Sequence, residues 1–207
     1  MTESSQSVRH MIPALHGGDA VAIGRILLRY EPWLNLLARL QIDSQFHGKF
    51  SASDVVQQTL LEAFRDLPKF CGQTEAELGA WLRQVLAHVL SHEIRRYLGT
   101  QQRDLHREIS LEESLAQSSQ KLADLLADSG TSPSGQAAAH ERELWLADVL
   151  GKLPAEYREV IILRNMEGLS HEEVARRMER SPGAVRMLWV RALARLRQEL
   201  PASFGFK

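Results

Sequence analysis

Leu169-Ser170-His171-Glu172-Glu173-Val174-Ala175-Arg176-Arg177-Met178-Glu179-Arg180-Ser181-Pro182-Gly183-Ala184-Val185-Arg186-Met187-Leu188-Trp189-Val190-Arg191 reads as two amphipathic helices with a very short turn between them. Ser170 is placed to cap the first helix, and Glu173, three residues on, to reach back and complete a capping box. Ser181 caps the second, where Pro182 at the first helical position has no N–H to leave unsatisfied. The second helix carries Arg186, Arg191, Arg195 and Arg197 with almost no acid. A capped, cation-studded helix after a tight turn suits a DNA major groove, so the expectation is a helix-turn-helix.

Working outward, the remaining sequence bounds the class. Of 207 residues 44% are apolar, enough for one sizeable core or two small ones, and the low aromatic content with abundant Leu, Ala, Arg and Glu favours helices. The expected fold class is all-α: two small helical domains joined by a flexible linker, the second ending in the helix-turn-helix. No apolar run approaches the roughly 20 residues that span a bilayer. The polar stretch Met1 to Arg9 lacks the apolar core of a signal peptide. No membrane insertion and a cytoplasmic location are the expectations. Cys71 is the single cysteine, which excludes an internal disulfide and a multi-cysteine zinc cage.

A formal net charge of −1 looks wrong for a DNA binder until it is divided along the chain. From Arg176 to Lys207 eight Lys or Arg face only Glu179 and Glu199, whereas Glu108 to Glu143 holds seven acids against Lys121 and Arg142. A local basic surface can grip phosphates while the near-neutral total keeps the free chain's grip on DNA weak.

The segment 18–107 reads as one helical domain after a tail over 1–17. Asp19 caps a helix with Ile23, Ile26, Leu27 and Tyr30 on one face, and Pro32 is expected to break or kink it before Trp33 to Leu40 resumes. After a loop holding Gly48, Ser51 and Asp54 form a capping-box start for a helix to about Leu67. That helix is expected to bury Val56, Leu60, Phe64 and Leu67 and to expose Asp54, Gln57, Gln58 and Glu62. Pro68 ends it. Thr74 and Glu77 open a long helix to about Tyr97, with Leu78, Trp81, Leu82, Val85 and Val89 inward.

An acidic linker over 108–136 follows. It holds a short helix from Ser110 with Leu111, Leu115 and Leu122, a weak stretch at Ser118-Ser119-Gln120, and linker composition from Asp128 to Gly135. The second domain, 137–200, opens with a helix from near Ala137 to Leu153. Pro154 starts the next, with Tyr157, Val160, Ile161 and Leu163 inward and Gly168 at its C-terminal cap. Val185, Leu193 and Leu196 complete the inward stripe, Leu188 and Trp189 suit the core at least as well as DNA, and 201–207 is a tail.

His88 and His92 stand four apart, a zinc-binding spacing, and a metallohydrolase was weighed on them. The general base of the zinc-protease pattern would directly follow the first His, but Val89 stands there and Glu93 follows the second; no third ligand is apparent. The expectation is no metal, no cofactor and no enzymatic activity.

The order of motifs resembles a known family. Asp54-Val55-Val56-Gln57-Gln58, Phe70-x-Gly72, Ala80-Trp81-Leu82-Arg83, Arg95-Arg96, the acidic linker, Leu153-Pro154-x-x-Tyr157-Arg158-Glu159-Val160 and the terminal helix-turn-helix together are similar to the extracytoplasmic-function group of bacterial sigma factors, from about Gly18 to Leu200. The resemblance implies a dissociable initiation subunit with core RNA polymerase and promoter DNA as partners. An anti-sigma factor is typical of the family, although no residue here identifies one.

Carried over residue by residue, the resemblance assigns core polymerase binding to Asp54, Gln57, Gln58 and Glu62. Recognition and melting of the downstream (−10) element fall to Phe70, Gln73, Thr74, His88, Ser91, His92, Arg95 and Arg96, and Phe70 equally suits a core residue. The upstream (−35) element falls to Ser181, Gly183, Ala184, Arg186, Met187, Val190, Arg191 and Arg195. Arg195, farther along the helix, suits phosphate or solvent. Two residues depart from the family's turn: Glu179 stands where glycine is common, and Arg180 replaces an apolar residue. A stand-alone helix-turn-helix regulator is the alternative, and it leaves the Asp54 to Arg96 constellation unexplained.

Overall fold

The computed structural model describes residues 19–42, 51–98, 105–125 and 136–200. The two tails, the Gly48 loop and the Asp128 to Gly135 stretch lie outside these. Among the described residues are eight α-helices and no strands. They are α1 (Ala20–Gln41), α2 (Ala52–Asp66), α3 (Glu75–Leu98), α4 (Leu105–Leu125), α5 (Gln136–Lys152), α6 (Ala155–Ile161), α7 (His171–Arg177) and α8 (Pro182–Glu199).

The helix starts follow the capping chemistry. The Asp19 carboxylate accepts from Val21 N at 2.9 Å. Ser51 with Asp54 and Ser170 with Glu173 each make a full capping box, an arrangement in which the capping side chain contributes about 1 kcal/mol. At α3 the Glu77 carboxylate accepts from the N–H groups of Gln73 and Thr74 at 2.8 and 2.9 Å, while Thr74 Oγ1 accepts from Glu77 N at 3.2 Å. These bonds hold the Glu77 carboxyl below the usual carboxylate range, the Gln73 N–H contributing most.

Pro32 does not interrupt α1, which runs unbroken through it. Tyr30, Trp33 and Leu34 are fully buried on either side of the proline, and that packing outweighs one missing backbone bond on a helix whose other groups stay paired. In α2 the inward face is set by Val55, Val56, Thr59 and Ala63, so Phe64 is turned outward at 44% exposure, against the expectation that it would be buried. The helix sits close to its neighbours through small and β-branched residues, which leaves the larger Leu61 and Phe64 outside. Asp66 ends α2, and Pro68 follows in a 3-10 turn over Leu67–Lys69.

α1, α2 and α3 pack around one core, with α4 laid across α1 and α3. α4 begins before Ser110 and passes straight through Ser118-Ser119-Gln120. This stretch is not weak, because Ser119 is buried and hydrogen-bonded to Glu143 and Arg83. α5 buries Leu144, Leu146, Ala147, Val149 and Leu150. Residues this close in sequence point to different sides of a helix, and α5 correspondingly meets α1, α3 and α4 as well as α8. α6 passes into a π-helical turn, Ile162–Met166, in which Glu167 N donates to Ile162 O at 3.0 Å. Gly168, at φ +74°, turns the chain out of it, a backbone region open to glycine.

Candidate nucleic-acid interface

The turn between α7 and α8 spans Met178 to Ser181, and Glu179 takes it at φ +53°. A left-handed residue with a Cβ costs roughly 1–2 kcal/mol, and the surrounding bonds hold it there: Arg180 N donates to Ala175 O at 2.9 Å and Met178 N to Val174 O at 2.8 Å. Arg180, in place of an apolar turn residue, is exposed and pairs with Glu156 at 2.6 Å. The turn is thus closed by an ion pair to α6.

Ser181 Oγ accepts from Ala184 N at 3.2 Å and starts α8. Val185, Leu188, Ala192 and Leu196 form its buried side. Ser181, Gly183, Ala184, Arg186, Met187, Val190, Arg191 and Arg195 are all exposed, so every residue expected to read the upstream element lies outside the core. Met187 and Val190, 55% and 51% exposed, stand among the arginines as an apolar contact surface, of the kind that meets a thymine methyl group. Arg195 pairs with Glu199 at 2.7 Å, which fits a phosphate-facing cation more than a base reader.

Behind α8, Trp189 is half-buried and its indole N–H donates to Asn165 Oδ1 at 3.0 Å. Arg164 lies over the Trp189 ring at 5.8 Å and donates to Leu169 O. His171 meets the other side of Trp189 edge-on at 5.7 Å. Loss of solvation, then the positive charges of Arg164 and Arg186, hold the His171 pKa below its ordinary value. Sequence reasoning missed this support. The Arg164-Asn165 pair carried no cue, because only the π-helical turn brings it under α8.

In the first unit, Asp54, Gln57, Gln58 and Leu61 recur at helical spacing on the exposed side of α2. Asp54 also serves the capping box, and Gln58 donates to Glu62 at 3.0 Å. Leu61, 67% exposed, and Phe64 at the margin add an apolar element that the sequence reading did not include. Across from α2, His88, His92 and Arg96 of α3 line a shallow cleft together with Gln58, Glu62, Val89 and Glu93. The cleft is mixed in charge. Glu93 lies 3.4 Å from Arg96 Nη1 and 3.7 Å from His92 Nδ1.

Three expected downstream-element residues stand elsewhere. Ser91 is fully buried, because α3 is enclosed on that side, and it cannot meet DNA as the helix stands. Arg95 is half-buried and its Nε turns back to Ser91 O at 3.2 Å. Phe70 is 8% exposed and packs on Trp81 with ring centroids 5.6 Å apart. Gly72 makes room for it, since a Cβ there would come 2.2 Å from the Phe70 ring. Phe70 is a core residue in this conformation, while Gln73 and Thr74 remain exposed. Among the described residues no three His, Cys, Asp or Glu side chains gather as a metal site, and no helix is long and apolar enough to cross a membrane.

The fold and this surface define a helix-turn-helix protein with a separate helical unit ahead of its reader. Residues 143–196 match the family profile "Sigma-70, region 4". The ECF RNA polymerase sigma factor SigD of Mycobacterium tuberculosis is 28% identical over 98% of this chain and 88% of its own. The ECF RNA polymerase sigma-E factor of Haemophilus influenzae is 28% identical over 88% of this chain and 89% of its own. A solved structure, "Structure of CnrH in complex with the cytosolic domain of CnrY", covers 93% of this chain and 96% of that one at 22% identity and a TM-score of 0.33, too low to carry an argument. The chain belongs to the extracytoplasmic-function group of sigma factors, and it directs transcription initiation on promoter DNA as a subunit of RNA polymerase.

Proposed function

We propose that the two units divide the work of initiation, 18–107 holding core polymerase and the downstream element and 137–200 reading the upstream element. The observation that carries this is α8: a capped helix whose exposed side gathers Arg186, Met187, Val190 and Arg191 over a fastened buried side. Arg186 and Arg191 are each able to donate a bidentate pair to guanine, worth about 1–3 kcal/mol of discrimination. The exposed side of α2, through Asp54, Gln57, Gln58 and Glu62 with Leu61 and Phe64 beside them, is the core-binding surface. Exposed apolar residues rimmed by polar ones suit a protein partner.

His88, His92 and Arg96 form the duplex-facing side of the downstream reader, with Gln73 and Thr74 at its loop. Phe70 joins them only if the loop rearranges to release it. Extruding a base costs a few kcal/mol of stacking, and the loop would have to return that through contacts with Gln73 and Thr74. The protein acts without chemistry of its own, in the cytoplasm where polymerase works. Two weak promoter contacts joined in one chain become a firm one once polymerase fixes their spacing.

The test is co-elution of the purified chain with core RNA polymerase, comparing wild type with Gln57→Ala/Gln58→Ala. These residues are exposed and outside the capping box, so the variant should fold normally. Co-elution lost in the variant supports the reading. A folded wild-type chain that ignores polymerase and shifts promoter DNA alone would establish the stand-alone regulator instead.

A further inference from the structure

The second unit is docked on the first through a joint with unusual chemistry. His140, near the start of α5 and 5% exposed, sits between Tyr30 and Trp33 of α1, with ring centroids 5.6 and 5.3 Å away. The floor of this notch is Gly79 of α3, where a Cβ would come 2.5 Å from the imidazole Cε1. One turn along α5, the buried Glu143 lies 3.6 Å from His140 Nδ1 and accepts a hydrogen bond from Ser119 of α4. Arg83 of α3, over the Trp33 ring at 5.8 Å, donates to the same Ser119 hydroxyl at 3.5 Å. Nearby, Arg29 of α1 faces Glu141 at 3.8 Å, and Lys121 of α4 donates to Met166 O at 3.1 Å.

This joint has a different character from the cores it connects. Trp33 Nε1 and His140 Nε2 are both buried in it with no hydrogen-bond partner among the described residues. A permanent core avoids such groups, because each regains a partner only by returning to water. The joint is therefore built to open at modest cost.

Opening is what a two-element reader requires. The −35 and −10 elements lie about 25 base pairs apart, roughly 80 Å of B-DNA at about 3.4 Å per step. A compact body of 207 residues has a radius of gyration of about 17 Å and spans about 45 Å. Closed at α5, the two units cannot reach both elements together.

We propose that the His140–Glu143 side of α5 is an autoinhibitory latch: seated in the Gly79 notch it holds the two units closed, and polymerase binding releases it. This rests on the sigma-factor reading of the two units. Because only the open fraction engages polymerase through both units, the latch lowers the apparent affinity by that fraction.

The experiment uses the full chain with Gly79→Ala and, separately, Glu143→Lys. The first forces the His140 ring out of its notch while improving the helix propensity of α3, so the first unit keeps its fold. The second sets a cation against Arg83. Small-angle scattering of each free chain should show a radius of gyration larger by several ångström, and the apparent affinity for core polymerase should rise several-fold. If both variants stay helical with the wild-type radius and wild-type affinity, the latch is overturned. A wild-type chain that never co-elutes with polymerase overturns the sigma-factor reading, whereas unchanged variants that co-elute normally overturn the latch alone.

Discussion

The Trp189 indole N–H is bonded to Asn165 Oδ1 at 3.0 Å, which fastens the promoter-reading helix to the π-helical turn beneath it. Asn165→Ala removes the acceptor and leaves a half-buried donor unpaired, a loss of about 1 kcal/mol. For a chain of this size that lowers Tm by about 2–4 °C. Upstream-element binding should weaken with it, although Asn165 touches no base. Calorimetry together with binding to matched and scrambled upstream elements reads both effects; an unchanged Tm would show that water replaces the asparagine without loss.

Glu179 holds a left-handed conformation at φ +53°, so Glu179→Gly should stabilise the second unit. The relieved strain of about 1–2 kcal/mol exceeds glycine's extra freedom in the unfolded chain, about 0.5–1 kcal/mol. A net gain of about 0.5–1 kcal/mol is expected in denaturant unfolding. Destabilisation would mean that the glutamate side chain contributes more than the turn costs.

Arg186 and Arg195 differ in surroundings, and their variants should differ in kind. Arg186→Ala is expected to cost about 1–3 kcal/mol at the matched upstream element and to relax selectivity. Arg195, paired with Glu199 at 2.7 Å, acts on the backbone, so Arg195→Ala should weaken all sequences alike and reduce the salt slope by about 1. Equal loss of selectivity from both would count against this division.

His171 introduces a pH dependence. Its pKa is lowered in the folded protein by lost solvation and by Arg164 and Arg186, so between the folded value and the unfolded value of about 6.5 the unfolded chain binds more protons. The stability linked to this group is therefore complete above about pH 6.5 and is lost as pH falls toward the folded pKa. His171→Gln should flatten that part of the stability profile measured from pH 7.5 to 5, and an unaltered slope would assign the dependence to another group.

Gly72 and Phe70 make the sharpest test of the downstream loop. Gly72→Ala places a Cβ against the Phe70 ring at 2.2 Å, an overpacking that costs about 1–3 kcal/mol. Reduced thermal stability is expected. A variant as stable as wild type would show that Phe70 leaves its seat easily, which would favour its use on an extruded base.

Local chemistry made much of this fold legible. The caps at Asp19, Ser51, Thr74, Ser170 and Ser181 are short-range statements, each written within four residues, and the helix starts fall where they point. What depended on distant partners was less legible. Periodicity places Leu60 and Phe64 on an inward stripe, but Ala63 and Thr59 allow the close approach and rotate α2 away from that answer. Ser119 lies in a polar run that reads as a break, and only Glu143 and Arg83, brought from other helices, make it a buried partner. Phe70 suited two roles in the sequence; the missing side chain of Gly72 decides for the core in this conformation. Likewise the exposed row on α8 follows from spacing, whereas its support at Arg164 and Asn165 depends on the π-helical turn.

That turn has a consequence for inheritance. Between Ile162 and Met166 the ladder carries one residue more than an α-helix would, with Glu167 bonded back to Ile162. Deleting one residue there would restore an ordinary ladder and harm no local bond. Everything downstream would then be re-phased by about 100° about the axis, swinging the reading head away from its bed. The family can vary the letters of this segment far more freely than it can vary their number, so the turn works as a length gauge that insertions and deletions must leave alone.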